Sequence, residues 1–169
     1  VGRTGTFLAC ETDGVAPDVV TLAKGLGGGI PIGAVVARGE AATALRPGDH
    51  GSTFGGGPLA SSIANAVLDV VLADGFLDGV RTRGERLGRG LGTIAARRPE
   101  RVVEVRGRGL MWGLELTVEA GPVVARLREF GMLAVGAGPR VLRLLPPLVV
   151  TVEEIDRAVE LVDRALDLG

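Results

Sequence analysis

The chain is poor in several residue types, and each scarcity excludes something. It has one cysteine, Cys10, so it has no internal disulfide framework, and that usage fits a reducing compartment such as the cytoplasm. It has one histidine, His50, so neither a histidine-rich metal site nor a Ser-His-Asp triad can be assembled, and no metal is expected. Aromatic residues make up 3%, with no tyrosine. No apolar run approaches the roughly 18 residues of a membrane span; Asn65 and Asp69 interrupt the longest, Ala64 to Ala73. Net charge is −1, without a basic stretch, so neither nucleic acid nor a membrane surface is an expected partner. The sharpest scarcity is lysine. Of 19 basic Lys and Arg residues, only Lys24 is lysine.

Glycine, by contrast, is abundant at 28 residues. Gly84, Gly88 and Gly90 fall in an arginine-rich helical stretch and read as ordinary surface positions, a compositional trait shared with the arginine-for-lysine bias. The chain opens with "VGRTGTFLACETDG", without an initiator methionine or a signal-peptide pattern, and is expected to be a fragment.

A length of 169 residues allows about one domain and a sizeable core. "DVVTLA" (18–23) and "IGAVVAR" (32–38) are short β-branched runs that read as buried strands of a parallel sheet. "GEAATALRP" reads as a short helix and "GDHGSTFGGGP" as a glycine-rich loop. Pro58 opens a helix running toward Gly75. A long amphipathic helix follows, with Leu77, Val80, Leu87, Leu91 and Ile94 on one side, ending before Pro99. "RVVEVRGRG" and "LMWGLEL" suggest a hairpin. "GPVVARLREFG" reads as a helix, and "MLAV" and "VLRLLPPL" as strands. The last helix has a capping box, with Thr151 at its head and Glu154 three residues on. The expected organisation is α/β: part of a parallel-sheet domain over 1–76, a connecting helix over 77–99, and a small α+β domain over 100–169.

Lys24 follows the first strand and precedes a glycine run, where α/β proteins bind ligands. An amine can lose its proton near neutral pH and attack a carbonyl, which a guanidinium cannot. The residues alone leave two readings open, a nucleophilic amine or a surface lysine at a strand end. Other motifs fail. Lys24 precedes its glycines, so there is no P-loop. "GLGTIA" (90–95) fits a dinucleotide pattern but lies inside the arginine-rich helix, with no strand before it. Cys10 reads as a small core residue.

Four blocks in order, "GRTGTFLACETDGVAPDVVTLAKGLGGGIPIGAVVA", "HGSTFGGGPLA", "VRGRGLMWGLEL" and "LRLLPPL", resemble the C-terminal half of a class III pyridoxal-phosphate aminotransferase, within the acetylornithine and ornithine group. The resemblance covers essentially the whole chain. It implies the type I aminotransferase fold, a large α/β domain here partly present and a small C-terminal domain. It implies pyridoxal 5'-phosphate as cofactor, amino-acid and 2-oxo-acid substrates, and a homodimer. Lys24 would form the internal Schiff base and then shuttle a proton. Thr53, with Ser52 beside it, would bind the cofactor phosphate across the dimer interface; on residues alone the pair reads as turn formers. Arg143 would grip the substrate α-carboxylate; on residues alone it reads as a solvated strand residue.

Two departures stand out. Gly57 replaces the family's usual Asn. The family's Asp-Glu-x-Gln block, whose Asp pairs with the pyridine nitrogen, precedes the "GRTG" motif and lies outside this sequence, as do the family's phosphate loop and stacking aromatic. The expected parent activity is transfer of the terminal amino group of N-acetylornithine to 2-oxoglutarate, in arginine biosynthesis. The alternatives are an ornithine, succinylornithine or 4-aminobutyrate aminotransferase, an aminomutase, an inactive remnant with an open sheet edge, or a nucleotide-binding module.

Overall fold

The computed structural model describes residues 1–167; the last two residues of the expected terminal helix segment, Leu168 and Gly169, lie outside it. The chain divides into two compact units. The first holds Val1–Gly2 and Thr6–Leu77, and the second holds Arg3–Gly5 and the chain from Asp78 onward.

In the first unit, β1 (Val19–Leu22) and β2 (Ala34–Ala37) form a two-stranded sheet. The expected parallel pairing is overturned here: Val19 lies opposite Ala37 and Leu22 opposite Ala34, an antiparallel ladder. A four-residue apolar run carries no information about strand direction, and here the chain doubles back on itself. Burial fails too, because Val35 and Val36 are exposed. The segment read as a short helix after β2 is a 3₁₀ turn, Gly39–Thr43. Helix α1 (Pro58–Val71) starts with proline at its first turn, where the missing N–H costs nothing.

The second unit is built on α2 (Phe76–Arg97, in this unit from Asp78), β3 (Val102–Arg108), β4 (Met111–Leu116), α3 (Ala120–Glu129), β5 (Val135–Gly136), β6 (Val141–Leu144) and α4 (Val152–Ala165). The four strands pair antiparallel in the order β3-β4-β6-β5. Of the expected "MLAV" strand only Val135 is in a strand, because Gly131 to Ala134 carry the chain out of α3 first. Alternation along β4 and β6 turns Leu114, Leu116, Leu142 and Leu144 to one face, where all four are buried. Val80, Leu87, Leu91 and Ile94 of α2, Val123 and Leu127 of α3, and Ile155 and Val162 of α4 complete this core. Each such burial contributes about 1.5–3 kcal/mol. Around its rim ion pairs join α2, and Arg98 just past its end, to α4 and to Asp167 just past that helix: Arg86 with Asp156 at 2.6 Å, and Arg98 with Asp163 and Asp167, each at 2.6 Å. The capping box of α4 forms as expected, with Glu154 N–H donating to Thr151 Oγ1 and Thr151 N–H to the Glu154 carboxylate.

Gly84, Gly88 and Gly90 of α2 are not ordinary surface positions. Gly84 is buried, and a Cβ there would lie 2.5 Å from the Gly109 carbonyl carbon. A Cβ on Gly88 would strike the Trp112 ring, and one on Gly90 would lie 2.7 Å from Val159 Cγ2. The helix needs these glycines where the β3–β4 turn, Trp112 and α4 press against it. The Arg3–Gly5 segment lies across the same turn. A Cβ on Gly109 (φ 53°) would be 2.7 Å from Thr4 Cα. Arg3 donates to the Leu110 carbonyl at 3.1 Å and to the Pro146 carbonyl. Burial lowers the pKa of that guanidinium.

Candidate active site

The first unit holds the lysine. β1 ends at Leu22, Ala23 is extended, and Lys24 enters the left-handed region at φ 55° as it starts a 3₁₀ turn, Lys24–Gly27. Among the described residues it is the one residue other than glycine with a positive φ. For an L-residue this costs about 1–2 kcal/mol, and such strain gathers where the surroundings over-determine the backbone. The surroundings do so here. Leu26 is buried, and Gly28 (φ 57°) sits so close to α1 that a Cβ would lie 2.9 Å from Val67 Cγ2. The turn is thus fixed from behind while Lys24 is exposed.

Ser52 and Thr53 stand exposed in the loop leading to α1. Gly57 is the N-cap of that helix, with φ −58°, and supplies no side-chain cap. An asparagine there could have capped the first turn; with glycine the first-turn N–H groups have no side-chain acceptor at that position. A Cβ on Gly51 or Gly56 would have nothing within 4 Å, so the loop backbone is open to approach. Ser52 and Thr53 make no hydrogen bond to Lys24 among the described residues.

Arg143 belongs to the second unit, on β6, opposite Gly113 of β4 and Val135 of β5. It points away from the core and lines a cleft of about 440 Å³ on the outer face of the sheet, with Arg106, Arg108, Trp112 and Gly113. Among the described residues it makes no hydrogen bond or ion pair. Arg106 is bound in place: its Nη1 donates to Glu104 at 2.5 Å and to Glu115 at 2.8 Å. Those bonds, Glu115 first, hold its pKa above the ordinary value. The residues alone did not reveal this arrangement. Its signal was present, opposite charges at 104, 106 and 115 on the two arms of a hairpin, but it becomes visible only once the register is known.

The described residues contain no group of three or more His, Cys, Asp or Glu side chains placed to hold a metal. No helix among them is long and apolar enough to cross a membrane.

Of the residues expected at the site, Lys24, Ser52 and Thr53 lie in the first unit and Arg143 in the second. The chain belongs to the class-III aminotransferases, whose family model matches residues 1–166. It is 47% identical over 167 residues to the acetylornithine aminotransferase of Brucella melitensis, which covers 99% of this chain and 41% of the relative. It is 50% identical over 165 residues to acetylornithine aminotransferase 1 of Bradyrhizobium diazoefficiens, covering 98% and 41%. A solved structure of the ornithine aminotransferase of Toxoplasma gondii, crystallized with oxidized glutathione and holding pyridoxal phosphate at partial occupancy in its active site, matches with a TM-score of 0.90 at 36% identity, over 98% of this chain and 40% of that one. The chain therefore spans about two fifths of the length of the curated relatives it matches. The fold is that of part of a pyridoxal-phosphate aminotransferase, as expected.

Proposed function

We propose that this chain is the C-terminal part of a pyridoxal-phosphate-dependent aminotransferase that moves the terminal amino group of N-acetylornithine to 2-oxoglutarate, in arginine biosynthesis. The observation that carries the reading is Lys24, the sole lysine, held in a left-handed conformation at the head of a pinned glycine turn. The two relatives named as acetylornithine aminotransferases support the substrate. The Toxoplasma neighbour favours a second reading, ornithine itself as the amino donor. In domain terms we assign residues 1–76 to the large domain, 77–99 to a connecting helix and 100–169 to the small domain. We take the enzyme to be a cytoplasmic homodimer.

The residues present fit the cofactor. Lys24 offers an exposed amine, Ser52 and Thr53 offer hydroxyl donors, and Gly25, Gly51 and Gly56 leave open space at the backbone for a flat, phosphorylated ring. When bound, that ring supplies an electron sink for the substrate carbon. Lys24 would hold the cofactor through Nζ, and its free amine would take and return a proton there. Thr53 and Ser52 would donate hydrogen bonds to the cofactor phosphate, Thr53 to that of a neighbouring subunit. Arg143 would bind the substrate α-carboxylate, to which a planar guanidinium can offer two parallel N–H donors.

The lone lysine makes the test clean. The chain is incubated with pyridoxal phosphate, reduced with borohydride and mapped; only Lys24 and the amine of Val1 can carry an adduct. A Lys24 adduct that forms ahead of Val1 is expected, and an adduct at Val1 alone counts against the site. The 169-residue chain on its own is expected not to transaminate, so measurable turnover of N-acetylornithine by it would overturn that part of the reading.

A further inference from the structure

Arg143 stands close to the end of its ladder. β6 pairs with β4 from Val141 to Leu144, and with β5 only at Leu142 and Arg143. Beyond Arg143 only Leu144 is still paired, with Trp112. Gly113, directly opposite Arg143 on β4, has no side chain to brace it. The entry to β6 is extended by further backbone bonds, from Leu116 N–H to the Arg140 carbonyl at 2.8 Å and from Ala137 N–H to the Val141 carbonyl at 2.9 Å. The exit cannot be extended in this way, because Pro146 and Pro147 have no N–H to donate.

Side chains from elsewhere in the second unit hold the exit instead. Arg3 Nη1 donates to the Pro146 carbonyl and, at 3.1 Å, to the Leu110 carbonyl. Leu110 N–H donates back to the Arg3 carbonyl at 3.0 Å. Leu110 adjoins Met111, where β4 begins. Arg3 thus ties the start of β4 to the exit of β6, at the end of the sheet where Trp112 pairs with Leu144. Val150 N–H donates to the Pro147 carbonyl at 3.0 Å. Arg83 of α2 takes the carbonyl after that, with Nη2 donating to Leu148 at 2.9 Å. Gly79 makes room for this guanidinium: a Cβ there would lie 2.9 Å from Arg83 Nη1. Arg83 Nε is buried without a hydrogen bond among the described residues, a cost that the bond from Nη2 offsets.

We propose that Arg3 is a positioning residue for carboxylate binding. By fixing the exit of β6 through the Pro146 carbonyl it sets where Arg143 stands, and Arg83 is a second anchor of the same loop. The proposal rests on the carboxylate-binding role given to Arg143 above, and concerns two residues to which that role assigns nothing. It holds whatever Arg143 pairs with when no substrate is bound. A guanidinium grips a carboxylate through two parallel bonds only in a narrow geometry. Misplacing a positioned group by about 1 Å can weaken its action by as much as about a hundredfold.

The test uses the full-length holoenzyme, with 2-oxoglutarate as the probe. Its binding is measured by calorimetry, and KM and kcat by steady-state turnover, well below the melting temperature of each variant. Arg3→Met is expected to weaken binding and raise KM by about five- to tenfold, more than it lowers kcat. Arg83→Met acts on a carbonyl further from β6 and is expected to weaken binding by about two- to threefold. Arg143→Gln is expected to weaken it by about tenfold or more. The double variant decides. Once Arg143 is glutamine there is no guanidinium left to misplace, so adding Arg3→Met is expected to change affinity by less than about twofold. A purely structural role for Arg3 would weaken binding by the same factor in both backgrounds, and that additivity overturns the proposal. If Arg3→Met does not fold, Arg83→Met is taken through the same cycle. It leaves Arg3 in place and removes a buried, unbonded nitrogen, and wild-type affinity or additivity there overturns the proposal equally. Arg143→Gln also separates the two claims. If it weakens binding while Arg3→Met has no effect, only the present proposal falls. If it has no effect, the carboxylate role of Arg143 falls, and this proposal with it.

Discussion

Gly84 and Gly92 lie on the same helix two turns apart, and replacing each by alanine is expected to move stability in opposite directions. An alanine in a helix interior is better than glycine by about 1 kcal/mol, so propensity alone predicts a gain at both sites. Gly92 is exposed and a Cβ there has nothing within 4 Å, so Gly92→Ala realises that gain. At Gly84 the new carbon would lie 2.5 Å from the Gly109 carbonyl carbon and 2.8 Å from its Cα. The obstacle is backbone, which has no rotamer to change. Nor can the turn retreat, because Thr4 backs it on the far side. Overpacking of this kind costs about 3 kcal/mol at the upper end of the usual range. Set against the propensity gain, the net loss is about 2 kcal/mol. For a chain of this size that lowers the Tm by about 4–8 °C, while Gly92→Ala raises it by about 2–4 °C. Thermal unfolding followed by helix ellipticity at constant protein concentration reads both. A Gly84→Ala protein that melts at or above the wild-type temperature would refute the close approach of α2 to the β3–β4 turn.

Three further outcomes follow from the second unit. Arg3→Met leaves the Leu110 and Pro146 carbonyls without their charged donor, and is expected to cost about 2–3 kcal/mol in urea unfolding. Thr151→Ala removes the side-chain half of the α4 capping box and should cost about 1 kcal/mol, with Thr151→Ser close to wild type. Asp156 has its carboxyl pKa lowered chiefly by its hydrogen bond with Arg86. A depressed folded-state pKa means stability that is present above the unfolded-state value of about 3.9 and lost as pH falls through the folded one. Asp156→Asn should therefore lower the melting temperature at neutral pH and flatten its fall in acid, read from melting curves between pH 7 and 2.

What could be read from the residues depended on whether the signal was local. The 3.6-residue pattern of α2, the proline start of α1 and the Thr151–Glu154 box are written within one or two turns, and the helices form where the pattern places them. Lys24 was legible by scarcity alone, since one lysine among arginines marks itself. Strand direction was not legible, because "DVVTLA" and "IGAVVAR" look alike whether they pair parallel or antiparallel. Gly84, Gly88 and Gly90 were misread because a glycine owed to composition and one owed to a close neighbour look the same in one dimension. Gly84 is explained only by Gly109, and Gly90 only by Val159. The company of Arg143 was hidden for the same reason: it depends on a bulge at Val103 and on the register of three strands.

The short segment Arg3–Gly5 belongs to the second unit, although the residues on either side of it belong to the first. The chain therefore passes between its units at three places rather than one. Anyone excising the second unit as an independent piece at the boundary before Asp78 would leave behind the strand of backbone that lies against Gly109, and the guanidinium that spans Leu110 and Pro146. The same threading delays assembly during synthesis. Arg3 is synthesised more than a hundred residues before its partner carbonyls, so this long-range contact closes late.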